Sequence, residues 1–540
     1  MYKRQVLADG GSLTAELYPL MAGRAPDAWE GGAVLRISCE RETGLWLKFG
    51  GGKIAFMHYS PNISMAGDQI DCEESSAELD GSTVFLSHGT VPLFTAVSAD
   101  ADFRVETLPE AVTGRGADCG ASCGAYAVAH TARNQLCLTA GFARSRERAR
   151  QLAQTDAAAE ILRIQAYYRG LCEHWRLDTP SANLNEAFTH ALYHLEYAWL
   201  EPYGWIESIQ HWPTMWHMEH TAAEEWNGHS GRVKTCLTAQ MQRVFDNGAI
   251  PDLCPNGEGR RDWGGNNQFF LREVLHYVRM TGDLDFAAQA EPFMERALKQ
   301  SFAEYDPTGS GVIGWSTQIG NQEDMESTPG KGAATGSEGV RMLEIMAELK
   351  ELLGKPEEGA RYRAHAAYCL DQLRQTLWLP DLGRYAWYED SVGEKRLDTT
   401  YHGIAYPVIY GQLDAFDSKS ALDHLKHRLS GPEGEIYQSN HFGDHAYWDV
   451  PTWGMQCGSD MQPFATAAYA AVGDAQAAVR PLEFIAKRVC GPYQRGAWPE
   501  TANETRFAYF SPSAAVYAQA AVSYTHLDVY KRQPFTIGNR

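Results

Sequence analysis

Residues 266–304 read NNQFFLREVLHYVRMTGDLDFAAQAEPFMERALKQSFAE. Apolar residues recur at helical spacing on both sides of a Thr-Gly-Asp turn, which predicts two amphipathic helices over 265–281 and 284–304. Each carries one apolar face that must be covered. The same alternation of amphipathic segment and loop runs outward in both directions. Further helices are expected at 184–200, 215–226, 230–246, 335–353, 357–378, 418–429, 459–473, 475–489 and 511–522, about eleven in all and close to twelve. Antiparallel pairs of this length bury their apolar faces in a bundle, a solenoid or a closed toroid. Their spacing is irregular and no repeat signature is visible, which argues against a solenoid and for closure into a barrel.

Upstream the pattern changes. From Val6 to Ala143 short β-rich runs such as AVLRISCE, GLWLKFGGGKIAF, DFRVETL and QLCLTAGFA are separated by turns, and they read as an antiparallel sandwich. Ser145 to Leu171 is dense in Ala, Arg, Gln and Leu and lacks Gly until Gly170, as a helix requires. The expected organisation is a multidomain β plus all-α chain: an N-terminal antiparallel β-sandwich over 6–143, a helical linker over 144–175, and a helical toroid over 176–522. The tetrapeptide YKRQ occurs at both 2–5 and 530–533, and SYTHLDVYKRQ resembles translated sequencing adapter. Residues 1–5 and 523–540 are therefore set aside from the reading of the fold, and the true N-terminus is expected to be missing.

At 540 residues the chain exceeds what one core supports, so at least two domains are expected. With 44% hydrophobic and 21% charged residues the composition is that of a compact globular protein. The formal net charge of -21 repels phosphate backbones and anionic membrane surfaces, which leaves nucleic acid and membranes as poor partners and a neutral substrate as the default. No window approaches the roughly 20 apolar residues of a membrane span. The 11 cysteines are odd in number and scattered, which favours reduced thiols and a cytoplasmic setting. Cys119 and Cys123 form the one tight pair, with no second pair at ligand spacing to complete a metal site.

The loops between the expected helices concentrate aromatic and acidic residues: YGWIESIQHWPTMWHMEH, GRRDWGGNN, GWSTQIGNQEDMES, HFGDHAYWDVPTWG and RGAWPETANETRFAYF. Sugar rings present apolar faces edged by hydroxyls, so a sugar site needs aromatic platforms beside groups that share hydrogen bonds. Trp212, Trp216, His217, His220, Trp263, Asn266, Gln322, Trp453 and Trp498 fit that description as substrate-binding residues. The plainer alternative for any one Trp is packing at a helix end. His217 and His220, with Glu219 between them, also stand at a spacing that allows a metal, but the HExxH pattern is missing and no metal or other cofactor is expected.

Glycosidic cleavage requires an acid that protonates the departing oxygen and a second carboxylate. Glu323, Asp324 and Glu326 crowd into four residues, and mutual repulsion there keeps a proton available near neutrality. An exposed acidic loop has the same letters. Glu500 and Glu504, about 175 residues on, supply the second carboxylate only if the chain closes on itself.

The order of sandwich, linker and helix pairs, with HWPTMWHMEHTAAEEWNG leading to NNQFFLREVLHYVRMTGD, resembles the six-hairpin (α/α)6-barrel glycosidases and phosphorylases that carry an N-terminal β-sandwich. The resemblance implies a six-hairpin barrel. GNQEDMES stands where the disaccharide phosphorylases of this type have their general acid, in motifs such as GPDEYH or GDWNDGM; one alignment assigns the acid to Glu323 and the other to Asp324, while Asn321 and Gln322 depart from both motifs. SPSAAVYAQAAV resembles the last barrel helix, and the loop before it carries the base in the hydrolytic relatives, which implies Glu500. The acids of WPETANE repel phosphate, so hydrolysis of an oligosaccharide or glycoside, exo-acting and inverting, is the expected reaction. The alternatives are an inverting phosphorylase, a polysaccharide lyase helped by Arg260, Arg261 or Lys331, and an inactive carbohydrate-binding scaffold.

Overall fold

The computed structural model describes residues 2–6, 12–20, 30–40, 44–50, 55–59, 65–69, 76–88, 91–107, 125–205, 217–253, 259–260, 266–315, 330–437, 458–459, 461–499 and 511–523. The chain divides into two compact units, Met1–Glu173 and His174–Arg540.

The first unit holds the strands β1 (Tyr2–Val6), β2 (Ser12–Pro19), β3 (Gly31–Cys39), β4 (Leu45–Gly50), β5 (Ala55–Tyr59), β6 (Met65–Gln69), β7 (Ser76–Asp80), β8 (Thr83–His88), β9 (Val91–Ala99), β10 (Asp102–Thr107), β11 (Ala125–Thr131) and β12 (Gln135–Ala143). All pairings are antiparallel: a seven-stranded sheet in the order β1-β2-β3-β12-β9-β8-β7, a three-stranded sheet β10-β11-β4, and the pair β5-β6. Period-two alternation sends Leu136, Leu138, Ile37 and Val97 to one face of the large sheet, where they meet Leu45 and Ala129 of the small one. Val34, Phe85, Ala96 and Ala143 point the other way.

That second face is covered by the segment read as a linker. Helix α1 (Arg146–Ala153), capped by the Ser145 hydroxyl, buries Ala149, Leu152 and Ala153 against the sheet, and Ile161 of α2 (Ala157–His174) joins them. The backbone of α1 comes so close that a Cβ at Gly141 would lie 2.4 Å from the Leu152 Cβ. Arg146 and Arg150 then reach Glu78 and Asp80 on β7.

Among the described residues the second unit holds twelve helices: α3 (Ala182–Ala198), α4 (His217–Trp226), α5 (Ser230–Met241), α6 (Asn266–Thr281), α7 (Leu284–Tyr305), α8 (Ala333–Leu352), α9 (Pro356–Leu377), α10 (Tyr401–Ile409), α11 (Ala415–Arg428), α12 (Met461–Ala471), α13 (Ala475–Val489) and α14 (Ser511–Ser523). The even-numbered ones from α4 to α14 each pack on the next, and α14 packs on α4, so an inner ring of six closes on itself. The odd-numbered ones form an outer layer, and α13 also packs on α3, the first helix of the unit. This is an (α/α)6 toroid. Its apolar material lies between the two layers, in one cluster around Phe270, Phe286, Met346 and Leu349 and another around Leu373, Tyr401, Leu425 and Phe464.

The helix that completes the twelve, α10, escapes the periodicity reading because YHGIAYPVIY combines Gly403, Pro407 and four aromatic or imidazole rings, with no polar face. Burial on all sides holds it helical: Tyr401 to Val408 are all buried, and the Thr400 hydroxyl caps it by accepting from the Gly403 amide.

A repeat does exist, although no fixed period reveals it. Each inner helix from α4 to α12 ends in a glycine with left-handed φ: Gly228 (77°), Gly282 (72°), Gly354 (72°), Gly411 (70°) and Gly473 (80°). At four of these the residue after the glycine donates its amide back five residues, as in His229 to Glu224, Lys355 to Lys350, Gln412 to Pro407 and Asp474 to Tyr469. This closure satisfies the last carbonyls and reverses the chain within a few residues. Inner-to-outer connections are accordingly short, from 282–283 to 410–414, whereas outer-to-inner connections run from 199–216 up to 429–460. All long connections therefore enter at one end of the ring, the end of the inner-helix N-termini. Among the described residues no helix is long and apolar enough to cross a membrane.

Candidate active site

The five aromatic and acidic loops singled out in the sequence each lead, along the chain, into the N-terminus of an inner helix: α4, α6, α8, α12 and α14. The first turns of these helices grip the incoming chain with buried polar side chains. The Asn267 carboxamide accepts from the Ile250 amide at 2.9 Å and donates to the Ala297 carbonyl at 3.1 Å. The Thr335 hydroxyl donates to the Ile313 carbonyl at 2.8 Å. Gln462 pairs with both backbone groups of Ile436, at 2.9 and 3.0 Å, as a strand neighbour would. Such bonds pair peptide groups that would otherwise be buried without a partner where an irregular connection passes under the ring mouth.

Several predicted site residues lie outside the described residues: Glu323, Asp324, Gln322, Glu326, Glu500, Glu504, Trp212, Trp216, Trp263 and Trp453, as do Cys119 and Cys123. His217 is the first residue of α4, and its side chain is likewise outside them. His220, one turn on, is fully buried and stacks on Trp205 with ring centroids 5.4 Å apart and planes 13° from parallel. Asn266 is the buried first residue of α6. Trp498 is fully buried between α13 and α14 with its ring 4.7 Å from that of Tyr517, while its indole Nε1 has no hydrogen-bond partner among the described residues. Lys331, a candidate cation for lyase chemistry, reaches Glu389 at 3.3 Å.

Below the mouth, the inner face of the ring carries a polar set that the sequence reading missed. Gln268 on α6 donates to Glu338 on α8 at 2.9 Å, and both are buried. Arg272, one turn further along α6, donates to the Tyr410 hydroxyl at 2.9 Å and lies over its ring. Because α8 stands between α6 and α10 in the ring, this bond runs past the inner face of α8. A column of rings descends α10 at four-residue spacing: His402 to Tyr406 at 5.3 Å, then Tyr406 to Tyr410 at 5.4 Å, with Phe464 of α12 at 6.3 Å from Tyr406. Burial holds the His402 imidazole neutral, with its pKa pushed down to about 3. Burial, and then the Glu338 carboxylate, push the Tyr406 phenol well above its usual range. The signal available in the sequence was a polar residue at a position helical spacing marks as buried, as with Glu338 in AATGSEGVRM; a single sequence gives no reason to rank it above other such residues.

Compared with solved structures, the chain is similar to a bacterial glucoamylase complexed with acarbose: TM-score 0.66 at 12% identity, over 97% of this chain and 83% of that one. The two share the six-hairpin (α/α)6 fold. Two further solved structures are similar to this six-hairpin chain at TM-score 0.49, both from Thermus thermophilus. One is a GH63 mannosylglycerate hydrolase in complex with Tris, with 12% identity over 62% of this chain and 99% of that one. The other is an uncharacterized conserved protein, with 14% identity, again over 62% and 99%. In sequence, the six-hairpin chain matches no family model and no curated protein.

Proposed function

We propose that the protein is a glycoside hydrolase that removes sugar from the end of an oligosaccharide or glycoside by inversion. The observation that carries this reading is the position of two helices. The segment with Glu323 and Asp324 leads into α8 and the segment with Glu500 leads into α14, and these two stand three places apart in a closed ring of six. Neighbouring helix axes lie about 8–10 Å apart, so opposite axes of such a ring are about 16–20 Å apart. Segments that enter the ring at opposite helices can supply an acid and a base from opposite sides of the mouth, as inversion requires.

In this scheme Asp324, or Glu323 beside it, protonates the departing glycosidic oxygen, and Glu500 takes a proton from the water that attacks the anomeric carbon from the other side. Clustered acids before α8 favour the protonated form needed by the first role. Trp212, Trp216, Trp263 and Trp453 supply apolar platforms, and His217, His220, Asn266 and Gln322 hydrogen bonds, while Trp498 packs on Tyr517. Exo action is supported by the Arg272–Tyr410 bond, which runs past α8 below the mouth and narrows the passage open to a continuing chain. The fold agrees: the bacterial glucoamylase that shares it holds acarbose.

A screen for sugar released from aryl glycosides and short oligosaccharides, with and without inorganic phosphate, tests the reading. Free sugar released independently of phosphate is the expected result. Sugar 1-phosphate made only with phosphate replaces hydrolysis by phosphorolysis, and an unsaturated product absorbing in the ultraviolet replaces it by elimination.

A further inference from the structure

His402 is fully buried, and among the described residues neither ring nitrogen has a hydrogen-bond partner; the hydroxyl of Tyr406, also buried, has none there either. Native interiors rarely leave such groups unpaired, because each was hydrogen-bonded to water before folding. The two residues share a face of α10, one turn apart. On the opposite face Ile404 and Val408 join Leu422 and Leu425 in the apolar layer toward α11. His402 and Tyr406 thus face the axis of the ring, where α8 contributes Glu338, α12 contributes Phe464 and α6 contributes Gln268. His402, in the first turn of α10, is nearest the mouth; Tyr406 lies below it and the Arg272–Tyr410 bond below that.

Packing does not call for an imidazole here. A phenyl ring would fill the space between Tyr401, at 4.5 Å, and Tyr406 without leaving two nitrogens unpaired. A neutral imidazole offers one donor and one acceptor, and a phenol offers one of each. That is the complement of two neighbouring hydroxyls on one sugar ring, with Phe464 as the apolar neighbour. The nearby Glu338 carboxylate opposes a second negative charge, so a uronic acid fits poorly.

We infer that His402 and Tyr406 form the inner end of the sugar site and hydrogen-bond a pair of hydroxyls on the terminal residue, setting which neutral sugar is accepted. The inference rests on the glycosidase reading for its setting but is tested by binding alone. Glucose, mannose, galactose, xylose and glucuronate are each added to the full chain, and the shift in melting temperature is read for the wild type, His402→Phe and Tyr406→Phe. One or more neutral sugars should raise the wild-type melting temperature, glucuronate should not, and both variants should bind the effective sugar about tenfold more weakly or worse. Without sugar, His402→Phe should melt at the wild-type temperature or above, since it removes unpaired buried atoms. Sugar binding that survives both substitutions, the lack of any response to a neutral sugar in the wild type, or a sugar-free His402→Phe that melts well below wild type overturns the inference. Failure of the glycosidase reading looks different: no glycoside is cleaved, whatever the binding data show.

Discussion

Arg272 on α6 and Tyr410 at the end of α10 are joined by a 2.9 Å hydrogen bond across the inner face of α8. The bond links two inner helices that are not neighbours in the ring, so it adds a tie between α6 and α10 beyond their shared packing on α8. Replacing Arg272 by Met should destabilise the protein by about 1.5–3 kcal/mol, the range for a hydrogen bond to a charged group. Tyr410→Phe should cost about 1 kcal/mol. The double variant should lose less than the sum of the two, with a coupling of at least about 0.5 kcal/mol, as measured by urea unfolding of the four proteins.

For the reaction, Asp324→Asn and Glu500→Gln should each lower kcat by about 10²–10⁴, the contribution of a positioned acid or base, with the melting temperature unchanged. Glu323→Gln decides which of the two acids before α8 gives the proton. Full activity in both Asp324→Asn and Glu323→Gln, on a glycoside the wild type cleaves, would remove that segment from the mechanism.

Glu225 on α4 is buried, one carboxylate oxygen accepting from the Ser230 hydroxyl at 2.6 Å and the other lacking a partner. Burial raises its pKa to about 7, well above the unfolded value. The folded chain then holds a proton that the unfolded chain has already released, so stability falls as pH rises from about 4.5 to about 7 and levels off beyond. Glu225→Gln should flatten that part of the stability profile and gain on the order of 1–2 kcal/mol above pH 7, read from urea midpoints across the range.

His402 works in the other direction. Its folded pKa of about 3 lies below the unfolded value, so stability is lost as pH falls from about 6.5 through about 3, where only the unfolded chain takes up the proton. His402→Phe should reduce the loss of stability between those limits, and a melting profile in acid buffers measures it.

Gly473 lies at φ 80° with open space where a Cβ would be. Gly473→Ala therefore isolates backbone strain from crowding and should cost about 1 kcal/mol. The same result at Gly282 or Gly354 would establish that the inner-to-outer turns depend on left-handed glycine and not on side-chain packing.

Lys350 on α8 is buried among Glu291, Glu295 and Glu358, with Nζ to oxygen distances of 2.5 Å to Glu295 and 2.7 Å to Glu358. The three carboxylates lie close enough together to hold a metal ion, yet the ammonium already occupies their centre. Lys350→Met should cost about 3–5 kcal/mol, because it leaves the Glu291 carboxylate facing its neighbours with only Lys355 in compensation.

The sequence by itself determined the parts of this protein that depend on local pattern. Period-two alternation in QLCLTAGFA and helical spacing in NNQFFLREVLHYVRM each dictate an element, since which face is apolar depends on neighbours a few residues away. Glycine followed by aspartate in TGDLD and VGDAQ marks a turn for the same reason. Tertiary structure alone decided the rest. α10 is a helix because its surroundings bury it, against the preference of its own residues. α1 and α2 cover a sheet face where their amphipathic letters read equally well as a free linker. The ring closes through α14 on α4, residues nearly 300 apart, and that closure sets α8 opposite α14. It also turns His402, Tyr406, Glu338 and Gln268 toward one another. A polar residue on a buried helix face has no meaning until the helices around it are known, because its partner, or its lack of one, is supplied by chain far away.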